Sequence, residues 1–145
     1  MKALILTWQF WAVLSAFFAA MTAILAKIGV QNINSDFATF LRTIVVLIAL
    51  AGILAATRQF QRLDTVPARS YVFLALSGLA TGASWICYFR ALKIGNASLV
   101  APIDKLSVVL VAVLGVLFLG EKLAPRNWLG IVLIASGAIL VGLRK

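Results

Sequence analysis

Long apolar runs separated by short polar breaks make up this chain. Leu4 to Ala26, Ser70 to Phe89 and Asn127 to Leu143 contain no charged residue. A bilayer core is about 30 Å thick and takes about 20 apolar residues of helix to cross. These three runs therefore predict transmembrane helices. Thr43 to Thr57 and Leu106 to Gly120 are uncharged over only 15 residues each. Each reaches spanning length by growing toward its N-terminus. The second helix then starts near Phe37 and takes in Arg42, and the fourth starts near Asn96 and takes in Asp104 and Lys105.

The breaks carry turn chemistry: Gln31-Asn32-Ile33-Asn34-Ser35, Asp64 to Pro67, Gly95-Asn96 and Pro125. Arg58 to Arg69 interleaves basic residues with Phe60 and Leu63, a pattern suited to the membrane interface. Trp8, Trp11, Tyr71 and Trp128 fall near span ends, where an aromatic belt would place them. The first run is longer than the roughly 7–15 apolar residues of a signal-peptide core, so it reads as a retained helix. The expectation is an all-α integral membrane protein, with residues 1–145 forming a single five-helix transmembrane domain.

Composition strengthens this reading. Of 145 residues, 63% are hydrophobic and 12% charged, and mean hydropathy is +1.09. Soluble domains carry about 45–50% apolar and about 25% charged residues, so this chain cannot dress a water-facing surface. It has no His, one Cys (Cys87) and four acids: Asp36, Asp64, Asp104 and Glu121. A metal cluster and a His-activated nucleophile have no raw material. No glycine-rich phosphate loop or dinucleotide fingerprint occurs. The expectation is no enzyme, no metal and no cofactor. Net charge is +9. The cations fall between apolar runs, so they point to anionic lipid headgroups and not to nucleic acid.

If each span crosses once, the N-terminal side receives Lys2, Arg58, Arg62, Arg69, Lys122 and Arg126. The opposite side receives Lys27, Arg42, Arg90, Lys93, Lys105, Arg144 and Lys145. Orientation normally follows an excess of Lys and Arg; six against seven is no excess. Either a weak bias decides, or the chain inserts both ways and pairs antiparallel with itself. An odd number of helices favours the second reading. Inverted repeats arise naturally when a repeat has an odd number of crossings, and many transporters contain two such repeats around a midplane site.

Several segments resemble one family. Tyr88-Phe89-Arg90-Ala91-Leu92-Lys93-Ile94-Gly95-Asn96-Ala97-Ser98-Leu99-Val100-Ala101-Pro102 resembles the end of helix three and the start of helix four in EamA-type proteins of the drug/metabolite transporter superfamily. Leu25-Ala26-Lys27-Ile28-Gly29, Phe40-Leu41-Arg42-Thr43, Leu119-Gly120-Glu121, and Gly130-Ile131-Val132-Leu133-Ile134 followed by Gly137 also fit. The resemblance implies export or exchange of small metabolites, amino acids, sugars or drugs. It also implies ten-helix members built from two inverted five-helix halves, of which this chain resembles one. The expected function is a secondary transporter working by alternating access, with proton coupling if Asp104 titrates. It would act as an antiparallel homodimer or with an inverted paralogous partner, surrounded by lipid in a prokaryotic inner (cytoplasmic) membrane. Two alternatives stand beside it: a flippase-type transporter of an amphipathic or polyprenyl-linked substrate, and a non-transporting scaffold subunit.

Candidate residues follow from the cost of polarity at membrane depth. A central charge costs about 2.5–3.5 kcal/mol on insertion scales. The 11 Leu, Val and Phe residues between Leu106 and Leu119 return about 3–7 kcal/mol at roughly 0.3–0.6 kcal/mol each. Asp104 and Lys105 are therefore expected to be off-centre, solvated or matched. Neighbours on a helix point about 100° apart, so Lys105 is expected to reach toward the interface. Asp104 is then expected to find another cation among Arg42, Arg90 and Lys93. Asp104, Lys105, Arg42, Trp85, Tyr88 and Pro102 are the candidate lining of a substrate path. Trp85 and Tyr88 share a face three residues apart and either line a cavity or join the aromatic belt. Pro102 either breaks the fourth helix at a binding site or sits harmlessly near its start, and the harmless placement is the expectation. Arg90, Lys93 and Glu121 are candidates for structural ion pairs. Gly78 and Gly82, and the strip Ala12, Ala16 and Ala20, are expected to serve close helix packing.

Overall fold

A computed structural model describes residues 7–143. Leu4 and the cations Lys2, Arg144 and Lys145 lie outside the described residues. The elements in chain order are α1 (Trp8–Gly29), α2 (Ser35–Ala56), a 3-10 turn (Leu63–Thr65), α3 (Ala68–Ile94), α4 (Ala97–Asp104), α5 (Ser107–Leu119) and α6 (Pro125–Gly142). No strand occurs among the described residues. Among the described residues, five segments are long and apolar enough to cross a membrane: α1, α2, α3, Ala97–Leu119 and α6. The 22 residues of α2 rise about 33 Å, enough for the hydrocarbon core.

Four hydroxyl groups inside these helices are satisfied locally. Thr39, Thr43, Thr81 and Ser136 each donate to the carbonyl four residues back, at 2.8–2.9 Å. In lipid, where water is absent, this is the nearest available acceptor.

The helix ends follow from their residues. Asn34 caps α2 by accepting from the N–H groups of Asp36 (2.8 Å) and Phe37 (3.2 Å). At the other end of α2, Gln59 N–H bonds Leu54 O and Arg58 N–H bonds Ala55 O, at 3.0 and 3.3 Å. This is the paired closing pattern that wants a left-handed residue just past the helix, and Arg58 supplies it at φ 53°. Gly120 does the same after α5 at φ 67°. Pro125 opens α6 at a position where no N–H is needed.

The fourth span is interrupted shortly after Pro102. The helix stops at Asp104 and restarts at Ser107. The N–H groups of Lys105, Leu106, Val108 and Val109 bond the carbonyls three residues back, at 3.0–3.1 Å. Pro102 sits at the sixth residue of α4. It cannot donate to Ser98 O and its ring crowds that turn. The ladder tightens over the next residues before the α pattern resumes.

The chain divides into two compact units: residues 25–93, and residues 1–24 with 94–145. In the second, α4 and α5 each pack on α6. Small residues permit the approach: Ala112, Gly115 and Ala138 are buried. A Cβ at Gly142 would sit 3.1 Å from Ile103 Cδ1. Glu121 folds back against α5, so a Cβ at Gly115 would meet its Oε2 at 2.8 Å. In the unit of residues 25–93, Val30 and Leu92 are fully buried and Ala38, Thr39 and Phe89 nearly so. Most other large apolar side chains are exposed, including Phe118, Ile94 and Leu79. Water would not tolerate such a surface; lipid does.

Candidate functional site

Lys27, Asp36, Arg90 and Lys93 gather where α1 ends, α2 begins and α3 ends. Lys27, in the last turn of α1, donates from Nζ to Leu92 O at 2.7 Å. Lys93 Nζ donates to Ile33 O at 2.6 Å. Arg90 grips Asp36 with two parallel bonds, Nε to Oδ1 at 2.9 Å and Nη2 to Oδ2 at 2.6 Å. This two-pronged geometry is the favoured match of guanidinium to carboxylate. Asp36 also lies in the first turn of α2, where the helix dipole favours an anion. Three cations thus tie the end of α3 to the neighbouring chain. Both partners of the Arg90–Asp36 pair are substantially exposed, so its role here is one of register more than of strength.

Arg42 lies one step deeper. It is seven residues past the start of α2, about 10 Å along the axis. Trp85 and Phe89 are four apart on α3 and share a face. The Arg42 Cζ stands 4.1 Å from the Trp85 ring centroid and 5.8 Å from that of Phe89. A desolvated cation over an indole gains about 2 kcal/mol. Arg42 Nη1 is buried and has no hydrogen-bond partner among the described residues. Such an orphaned donor costs about 1–3 kcal/mol, and more when charged. The two acids of this unit are both occupied, Asp36 by Arg90 and Asp64 by Arg62.

The structure brings Arg42 and Trp85 together, and places half-buried Tyr88 on the same helix as Trp85. Pro102, Asp104 and Lys105 belong to the other unit. Lys105 Nζ lies 3.4 Å from Asp104 Oδ2, and both are exposed. Asp104, expected to find another cation, meets its own neighbour instead. The α4 helix ends between them, and the long lysine stem reaches back. Arg90 is committed to Asp36, and Lys93 to a carbonyl, not to Asp104. Glu121 forms no ion pair among the described residues and lies against Gly115. A Cβ at Gly78 or Gly82 would meet nothing within 4 Å, so no helix of their own unit crosses closely there. Ala12, Ala16 and Ala20 are exposed.

The sequence reading missed Asp36, Lys27 and Phe89 as members of this cluster. Asn34-Ser35-Asp36 was the available signal for Asp36, because it combines a cap with a first-turn acid. Phe89 was findable as the residue four past Trp85.

Five apolar spans with cations at their ends and one at depth define a multi-pass membrane protein. Residues 6–143 match the EamA-like transporter family, and the chain belongs to that family. It is 64% identical over 135 residues to an "uncharacterized transporter in cobO 3′ region" of a Sinorhizobium species, covering 93% of this chain and 96% of that one. It is 28% identical over 136 residues to the uncharacterized transporter YxxF of Bacillus subtilis, covering 93% of this chain but 42% of the relative. Protein RarD of Salmonella typhimurium is 31% identical over 97 residues, covering 65% of this chain and 32% of its own. The chain therefore spans nearly the whole of the first relative and less than half of the other two. No solved structure matches it.

Proposed function

We propose that this chain is a secondary transporter of small metabolites or drugs, working by alternating access as a dimer in a prokaryotic inner membrane. The observation that carries the reading is an odd number of spans, five, in a chain that matches 42% of a longer transporter-named relative. Such a unit supplies one repeat, and an inverted second copy supplies the other. The near-equal cation count on the two sides supports insertion in both orientations. Arg42, Trp85 and Tyr88, all within residues 25–93, are the proposed lining of the path. Asp104 is the proposed proton carrier, with Lys105 as its immediate neighbour.

Flux from the purified chain alone, reconstituted in liposomes, tests the reading. A panel of radiolabelled amino acids, sugars and carboxylic acids serves as substrate, with and without a pH gradient. The expected result is saturable uptake of at least one member, driven by the gradient. Asp104→Asn is expected to leave exchange intact and to remove the gradient dependence. Unchanged pH-driven flux in that variant would take Asp104 out of the mechanism. No flux, together with a constant co-purifying membrane protein, would favour a scaffold.

A further inference from the structure

We propose that Arg42 is the anchor for an oxyanion, a carboxylate or phosphate group carried by the transported solute. The inference rests on the transport reading above and deepens it, because it gives the substrate a chemical class.

Four observations converge. Arg42 stands within an apolar span, seven residues past its start. Its guanidinium carbon stands 4.1 Å from the Trp85 ring centroid and 5.8 Å from that of Phe89. Its Nη1 is buried and makes no hydrogen bond. The acids of its unit are spent, Asp36 on Arg90 at 2.6 Å and Asp64 on Arg62 at 2.8 Å. A cation at this depth with an idle donor and no counter-charge in its unit is an incomplete ion pair. Aromatic faces offset part of the charge but accept no in-plane N–H bond. The missing member must be an acceptor with negative charge, and the planar guanidinium fork fits a two-oxygen anion best.

The Arg90–Asp36 pair, one residue past Phe89 in sequence, contributes to selectivity. With Asp36 neutralised by a two-pronged bond, the cluster around Arg42 keeps its net positive charge. A cationic solute is disfavoured there, and an anionic one is drawn in.

The test reads binding, not flux, so that its failure is separable from failure of the transport reading. The full chain carrying Trp8→Phe, Trp11→Phe and Trp128→Phe keeps Trp85 as its single tryptophan. In an uncharged maltoside detergent, Trp85 fluorescence is titrated with acetate, succinate and inorganic phosphate. In parallel it is titrated with vesicles of pure phosphatidylcholine and of phosphatidylcholine with phosphatidylglycerol. The expected result is a saturable change with at least one soluble anion in detergent. Arg42→Lys, which keeps the charge but loses the fork, is expected to weaken binding at least tenfold. Arg42→Gln is expected to abolish it. Circular dichroism confirms that each variant is folded, and if Arg42→Gln is not, the Arg42→Lys titration decides alone. No response to any of the three anions overturns the proposal. So does a response confined to phosphatidylglycerol vesicles, because a lipid headgroup would then be the ligand. An undiminished response in the folded variants overturns it as well.

Discussion

At the residue scale, a single amide sets where the second helix starts. Asn34 accepts two N–H groups that would otherwise be unpaired, those of Asp36 and Phe37. The cap also fixes Asp36 where Arg90 can grip it. Losing such a cap costs about 1 kcal/mol, within a range of about 0.5–2. Asn34→Ala is expected to lower stability by that amount in a thermal melt followed by circular dichroism in detergent. Asn34→Asp is expected to keep most of it. Equal melting of all three proteins would show that the cap carries nothing. The pairings around Asn34 were hard to read from sequence. Asp36 and Arg90 are 54 residues apart, and nothing local couples them. Arg42 was visible because a cation inside a span is rare, but its indole partner needed the juxtaposition of α2 and α3.

At the element scale, counting uncharged residues found three spans outright and located the other two by extension. Extension was needed because α2 and the fourth span carry charge within them. Arg42 in α2, and Asp104 at the end of α4, cut the apolar runs without ending the membrane segments. The interruption at Lys105 and Leu106 was less legible. A proline announces a local defect, but whether the ladder recovers at once or tightens first depends on neighbouring packing. Here α4 rests on α6 while the turn closes. Pro102→Ala is expected to restore four-residue bonding, seen as slower amide exchange at Lys105 and Leu106. If the break serves alternating access, the same variant transports more slowly; unchanged exchange would locate the cause of the break elsewhere. A second element-scale expectation concerns the end of α2. Arg58 adopts a left-handed backbone, which costs a side-chain-bearing residue about 1–2 kcal/mol. Arg58→Gly is expected to recover about 1 kcal/mol, read as a higher melting temperature. A lower one would mean that the Arg58 side chain holds something of greater value.

At the scale of the whole molecule, the sequence established the class of protein but not how its copies meet. Periodicity and composition report what a helix must face, lipid or packing, and do not report a partner. Gly78 has open space where a Cβ would stand, and Ala12, Ala16 and Ala20 are exposed. An antiparallel pairing of two copies would turn one five-span unit into the ten-span arrangement expected of the family. Orientation is the property on which that claim depends. The most direct measurement replaces Cys87 with Ala, adds one Cys after Lys145, and labels intact cells with an impermeant maleimide, then repeats the labelling after permeabilisation. Labelling of about half the chains from outside, rising to all after permeabilisation, is the expected result. Labelling of all chains or of none in intact cells would contradict insertion in both orientations, and with it the antiparallel homodimer.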